Sequence, residues 1–306
     1  MARVLGEKPF ELSGILKHWV FCHENGMSDE DIRLRRYIKA LVCGREDEWE
    51  KEDIRCIPSD SAVITLSGGG SMPLSFKGKD GMTKSDLLLL QMLTHIESGR
   101  PLYVPIMSNL DEIPYIRPYL SLEGLLYRIV STTTEGGNGC VDSERVFDNV
   151  MHRFSYGGLS SGNVYADYDV RKMVTGHYHV LSRLTDALLN EGRDDRALEV
   201  TRLWLRELPS GVVPYDESSL SMAECLYRTG NADEGDAIVE NLLTRSVEWI
   251  RWIATIRGER HRGSRMTEYR WLLAMDNAMK VLQRHGRTEL LTRFYNDYNA
   301  ALTRYE

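Results

Sequence analysis

The densest group of reactive side chains is Tyr165-Ala-Asp-Tyr-Asp-Val-Arg171. Two acids, two tyrosines and an arginine stand there just ahead of a long helical run. Paired carboxylates can move protons in acid–base work. At a helix start they serve equally as caps, with Asp169 the expected N-cap. Tyr165, Asp167 and Arg171 are the binding candidates of this segment. A second group lies in residues 245–270. Arg245, Arg251, Arg257, Arg260, Arg262, Arg265 and Arg270 stand against Glu248, Glu259 and Glu268, with Trp249 and Trp252 interleaved. Arginine beside tryptophan suits phosphate headgroups, sugars or an acidic partner. A solvated helix face with its tryptophans buried gives the same pattern. Trp249, Arg251 and Trp252 are the candidates here.

Other chemistry is poorly supported. His177 and His179 are two apart, so on a helix they point to different sides and cannot share a metal. His18 and His23 are equally ill spaced, and no zinc motif occurs. Ser67-Gly-Gly-Gly-Ser71 lacks the Gly-Lys-Ser/Thr of a phosphate loop and reads as a turn. The Gly-Leu-Ser-Ser-Gly run around Ser160 lacks the preceding strand that a nucleophile elbow needs, since the residues before it look helical. Cys22, Cys43, Cys56, Cys140 and Cys225 form no C-x-x-C pair and read as small hydrophobes or inert thiols. No metal and no cofactor is expected.

The elements that must position these residues change character along the chain. In residues 1–55, Phe10, Leu12, Ile15, Leu16, Trp19 and Val20 recur at helical spacing. Asn25-Gly26 breaks the pattern, and Ser28 with Asp31 opens a second helix through Leu41. A charged connector, 44–53, follows. Residues 56–140 read as a small α/β domain. Strands are expected at Ala62–Leu66, Leu74–Phe76, Pro101–Pro105 and Leu125–Val130. A helix capped by Thr83 is expected from Lys84 to about Ser98. Residues 131–141 are polar and Gly-rich, the best boundary. Asp142 then caps a helix through Phe154, Tyr156–Asn163 is another loop, and from Asp169 to the end the period is almost wholly helical, so that residues 141–306 form the helical domain.

That helical part repeats. Residues 187–200 align with 224–239, with Gly192 and Gly230 each closing a helix before a polar turn. Five residues on stand Ala197 and Gly235, small enough for close helix approach. Gly286 marks a third, degenerate unit with Leu291 at that position. The offsets fit a tetratricopeptide-like helix–turn–helix unit. Such arrays bind peptides or partner domains in a concave groove, or simply pack as structure. The fold class is therefore α+β: a small α/β unit followed by a mostly α-helical, tetratricopeptide-like array.

The 306 residues are 42% hydrophobic and 27% charged, values of a globular chain. The net charge of −7, acidic chiefly in residues 1–150, argues against a nucleic-acid partner. No run reaches the roughly 18 apolar residues of a membrane span, and residues 1–30 show no export signal.

Several motifs in order carry a resemblance. They are T-K-S-D-L-L-L-L-Q-M-L (83–93), R-P-L-Y-V (100–104), Y-L-S-L-E-G-L-L-Y-R-I-V (119–130), F-S-Y-G-G-L (154–159), V-Y-A-D-Y-D-V-R-K-M (164–173) and V-P-Y-D (213–216). Over about residues 60–255 the chain resembles the soluble C-terminal region of a bacterial family of polytopic membrane proteins related to protein O-mannosyltransferase-like glycosyltransferases. The resemblance implies a periplasmic, non-catalytic accessory domain, and it adds Tyr215 to the candidates. The implied partner is a protein or a glycan, or a membrane region of the same parent protein. A free-standing chain would be cytoplasmic. Two other readings stay open. One is a soluble hydrolase or transferase with Glu123, Arg128, Asp167 and Arg171 at the junction of the two parts. The other is a scaffold that dimerises through the Trp249/Trp252 helix.

Overall fold

The computed structural model describes residues 10–20, 28–30, 32–34, 36–37, 60–79, 81–106, 108, 110–133, 139–256 and 259–305. The Asn25-Gly26 break, the connector 44–53, Cys22, Cys43, Cys56, His23, Asp31, Leu41 and Arg257 lie outside them. The architecture is α+β, as the sequence pattern implies: small sheets precede a helical C-terminal region. The chain divides into two compact units. One holds residues 1–121 and 126–140, and the other holds 122–125 and 141–306.

In the first unit β1 (Phe10–Glu11) runs parallel to β2 (Ser61–Thr65), which pairs antiparallel with β3 (Ser71–Ser75). Phe10 is thus a strand residue, against the helical expectation. The partner strand, about fifty residues on, captures its backbone: Phe10 faces Ala62, and Glu11 accepts from Thr65 Oγ1 at 2.9 Å. The helical turn Leu12–Gly14 and the π-turn Ile15–Val20 follow, burying Leu12, Ile15, Leu16 and Val20. Strands β2 and β3 alternate buried and exposed residues, with Ala62, Ile64, Met72 and Leu74 inward. Helix α1 (Lys84–Leu93) starts at Thr83, whose side chain accepts from the Asp86 N–H while Asp86 accepts in return, a complete capping box. It ends sooner than expected, its last residues turning loosely before Gly99, which has positive φ. Strands β4 (Tyr103–Pro105), β5 (Leu120–Leu122), β6 (Leu126–Ile129) and β7 (Cys140–Val141) form a second sheet in the order β4-β6-β5-β7.

The second unit contains α2 (Ser143–His152), capped by Asp142, and three helical hairpins. These are α3 (Tyr168–Asn190) with α4 (Asp194–Glu207), α5 (Leu220–Arg228) with α6 (Ala232–Thr255), and α7 (Glu259–Arg284) with α8 (Thr288–Tyr305). Gly192, Gly230 and Gly286 sit at their tips with φ of 71°, 81° and 64°. Each tip is closed by the same bond. The N–H of the next residue (Arg193, Asn231, Arg287) reaches back to the carbonyl of Leu188, Leu226 or Leu282 at 2.8–2.9 Å. A left-handed residue is needed there, and glycine accepts it without a Cβ clash. Gly235 does a different job. A Cβ built on it would stand 2.8 Å from the Tyr227 ring, so α6 and α5 are close there because no side chain intervenes. Ala197 is fully buried, whereas Leu291 at the third such position is half-buried.

Guanidinium groups tie the hairpins together. Arg228 binds Asp194 (2.7 Å) and the carbonyl of Leu189 (3.0 Å), and Arg202 binds Glu234 (2.8 Å). Arg287 holds Asp236 through Nε (2.8 Å), and Tyr227 donates to the same carboxylate. The core beneath is apolar, with Tyr178 and Trp204 in ring contact at 5.0 Å.

Candidate functional site

The first helix of each hairpin contributes one wall of a groove of about 1090 Å³. From α3 come Ser182, Asp186 and Asn190. From α5 and the 3-10 turn before it (Glu217–Ser219) come Glu217, Ser221, Glu224 and Arg228. From α7 come Asn277, Lys280 and Arg284. The α3 residues recur every fourth position and so share one face. That face is polar on a helix whose other sides bury Val174, Tyr178, Leu181, Leu184 and Leu188.

The charges in the groove are unequally answered. Each cation has a partner: Arg228 binds Asp194, Lys280 binds Asp276 (2.6 Å) and Arg284 approaches Glu224 (3.2 Å). Glu224 also faces His285 Nε2 at 3.0 Å, and that imidazole stacks on Tyr227. Among the described residues the buried Glu224 Oε2 meets only the Arg284 guanidinium, at 3.2 Å. Glu217 accepts from Asn277. Asp186 differs. Among the described residues it has no ion-pair partner, and the residue is exposed at the groove wall. Partial desolvation there pushes its pKa up, and nearby Glu224 adds to that. A hydrogen-bonding contact from Ser221 and the charge of Arg183 pull it back only in part. Ser221 and Ser182 share a hydroxyl–hydroxyl bond of 2.7 Å across the helix seam. The lining thus carries three carboxylates (Asp186, Glu217, Glu224) and three cations (Arg228, Lys280, Arg284), with serine and asparagine side chains between them.

The residues singled out in the sequence are scattered through this unit. Tyr165 is 84% exposed ahead of α3. Asp167, rather than Asp169, is the N-cap: its carboxylate accepts from the Val170 N–H at 2.8 Å, while Asp169 lies within the first turn. The cap moves two residues back because Asp167 has the extended backbone a cap requires. Arg171 folds over this cap, Nε donating to the Ala166 carbonyl at 2.8 Å. Tyr215 is buried in the turn between α4 and α5. Trp249 stacks on Trp271 of α7 with centroids 5.9 Å apart, and Trp252, 55% exposed, meets it edge-on. Arg251 bridges to Asp297 of α8 at 2.6 Å.

The structure therefore brings Trp249 and Trp252 together. Arg251 lies beside these tryptophans in the sequence of α6 but is engaged by Asp297, and Tyr215 is buried in the turn between α4 and α5. Glu123 is engaged by Arg145 at 2.6 Å, and Arg128 lies in β6 opposite Tyr103. His177 packs between the rings of Phe154 and Tyr156. Ser160 sits in the 3-10 turn Leu159–Ser161, with no strand ahead of it. Among the described residues no group of His, Cys, Asp and Glu is arranged to hold a metal ion.

Sequence reasoning missed Asp186, Glu217 and Glu224. One signal was present: Ser182, Asp186 and Asn190 are hydrophilic at every fourth position, on one face of an amphipathic helix. That pattern also describes any solvated face. Only the approach of α5 and α7 turns it into a groove.

Among the described residues no helix is long and apolar enough to cross a membrane. No curated protein and no solved structure matches the chain. Residues 54–146, which span β2 to β7 and the first turn of α2, match the family described as TMEM260-associated domain 2, so this segment is similar to that family.

Proposed function

We propose that the chain is a non-catalytic accessory module of a TMEM260-like membrane protein. The α3–α5–α7 groove binds an extended segment of a partner protein. The observation that carries this reading is the groove itself: a polar trough of about 1090 Å³ built from the first helix of three successive hairpins. Helical arrays use such surfaces to hold partners. None of the described lining residues is aromatic, so a sugar ring would find no face to stack on, and a peptide fits better than a glycan. The match over residues 54–146 and the resemblance to protein O-mannosyltransferase-like families support association with a membrane glycosyltransferase and an extracytoplasmic setting.

Photo-crosslinking tests this. A benzophenone amino acid at Asn190 or Asn277 should trap one membrane-associated partner in cells, and the same probe at exposed Thr303 should not. Equal trapping from all three sites would remove the groove reading. Turnover of a lipid-linked or nucleotide-linked mannose by the purified chain would remove the non-catalytic one.

A further inference from the structure

The two ends of the helical unit differ in kind. Helices α3, α5 and α7 run in the same direction, as three side-chain contacts fix: Ser182 with Ser221, Glu217 with Asn277, and Glu224 with His285. The second helix of each hairpin returns the other way. The tips at Gly192, Gly230 and Gly286 therefore lie at one end. The start of α3, the last turns of α6 and the start of α7 lie at the other.

The tip end is polar and closed. Among the described residues no large apolar side chain is exposed there. Its arginines are paired: Arg193 and Arg196 with Glu144, Arg228 with Asp194, and Arg287 with Asp236.

The opposite end is the reverse. Tyr168, which opens α3, is 76% exposed, and Tyr165 ahead of it more so. Met173 of α3 and Met266 of α7 are 68% and 63% exposed. These side chains share a level along the helices. Met266 stands eleven residues before Asn277, about 16 Å along α7 from the level of Glu217. Tyr168 stands fourteen residues before Ser182, whose partner Ser221 is four residues past Glu217. That leaves ten residues, about 15 Å, from the same level. Trp252 reaches this level from the antiparallel α6. It lies one turn beyond Trp249, whose ring stacks on Trp271, five residues after Met266. The result is a belt of tyrosine, tryptophan and methionine carried by three helices.

The charges at this end are left open. Among the described residues Arg171, Lys172, Arg265 and Arg270 are exposed and form no ion pair. The exposed carboxylates beside them are Asp167, Asp169 and Glu248, of which Asp167 is held by the α3 cap. Four cations against three carboxylates leave this end weakly positive on a chain of net charge −7. Tyrosine and tryptophan combine an apolar body with a polar tip, which matches the headgroup zone of a bilayer. Arginine and lysine lay their stems on such a surface and keep their charge among the phosphates. Exposed groups spread over three helices meet a surface better than they meet a single strand.

We propose that this end of the helical unit rests on an anionic lipid bilayer, its tyrosines, methionines and Trp252 in the headgroup zone and its unpaired cations on lipid phosphates. What the groove holds does not enter into this contact.

Flotation of the intact chain with vesicles is the test. The protein should float with vesicles of equal parts phosphatidylcholine and phosphatidylglycerol, and less with phosphatidylcholine alone. On binding, tryptophan emission should shift to the blue and be quenched by lipids brominated on their acyl chains, and Trp252→Phe should remove most of that quenching. Tyr168→Ser/Trp252→Ser/Met266→Ser should weaken binding about tenfold or more. Lys172→Gln/Arg265→Gln/Arg270→Gln should weaken it about fivefold per cation removed. Arg196→Gln at the tip end should float as wild type does. Circular dichroism and thermal melting check that each variant is folded, and Met266→Ser alone replaces the triple variant if that one is not. Failure to float with either vesicle, or belt variants that float like wild type, would overturn the proposal. So would a doubled mass in light scattering that the belt variant abolishes, since the belt would then join two copies of the chain.

Discussion

Asp86 in the first unit is buried and Asp186 in the second is exposed at the groove wall, and the two units treat these carboxylates in opposite ways. Asp86 is 2% exposed and fully answered: Lys79 pairs with it, Tyr115 donates at 2.8 Å, and Thr83 donates through both its N–H and its hydroxyl. Burial alone would raise its pKa, but these bonds together outweigh burial and hold it below the ordinary carboxylate value. The same Lys79 reaches the Glu112 carbonyl and lies over the Tyr115 ring, so one ion pair joins the start of α1 to the segment before β5. Asp186 has no such closure, and its pKa is displaced upward. A closed network contributes stability; an open one leaves charge available to a ligand.

The largest effect that would sharpen this contrast is Asp86→Ala. It removes the carboxylate partner of Lys79, the Tyr115 acceptor and the return half of the α1 capping box, so urea unfolding should show a loss of about 3–5 kcal/mol. Should that loss be under about 1 kcal/mol, Asp86 is no keystone and the contrast fails. Gly235→Ala comes next. The added Cβ meets the Tyr227 ring, which Asp236 and the stacked His285 hold in place. Overpacking of this kind costs about 1–3 kcal/mol, partly offset by the roughly 1 kcal/mol better helix propensity of alanine. Thermal melting should show a net loss, and a rise in Tm would mean that α5 and α6 can separate there.

Acid should act on the two carboxylates with opposite sign. Asp86 binds its proton less readily folded than unfolded, so it adds stability above its unfolded pKa of 3.8, lost as pH falls through its lower folded value. Asp186 binds its proton more readily folded, so its contribution is present below 3.8 and lost as pH rises through its higher folded value. Stability measured by urea titration between about pH 3 and 5 should therefore depend less steeply on pH in Asp86→Asn and more steeply in Asp186→Asn. Identical slopes would refute the assignment. The smallest effect is on stability itself at neutral pH: Asp186→Asn should lie within about 0.5 kcal/mol of wild type, since no ion-pair partner is lost. A large drop would show that the charge holds the groove together.

Local chemistry made much of this fold legible. Thr83 and Asp142 cap the helices expected of them, because a cap is decided by a few neighbouring atoms. The three hairpin tips follow from single glycines for the same reason. Strand β5 carries no such signal, because Leu120, Ser121 and Leu122 are all buried and no alternation marks it. Phe10 reads as helical in the sequence because the strand that decides its conformation lies far along the chain. The site was the least legible part. Its residues come from three helices spread over about a hundred positions, and the charge that matters is identified by a missing partner, which no spacing can reveal.

The repeated glycine tip has one more consequence. Helices joined in series, each coupled mainly to its neighbours, behave thermodynamically as a row of dominoes rather than a single block. Among the described residues helix α8 packs chiefly on α7 and α6, at the outer side of the third hairpin, so opening should begin there and run inward. Amide exchange would then form a gradient, fastest in α8 and slowest around Tyr178 and Trp204. The α7 wall of the groove would be its most compliant side, able to yield outward as a segment enters while the α3 wall keeps the register.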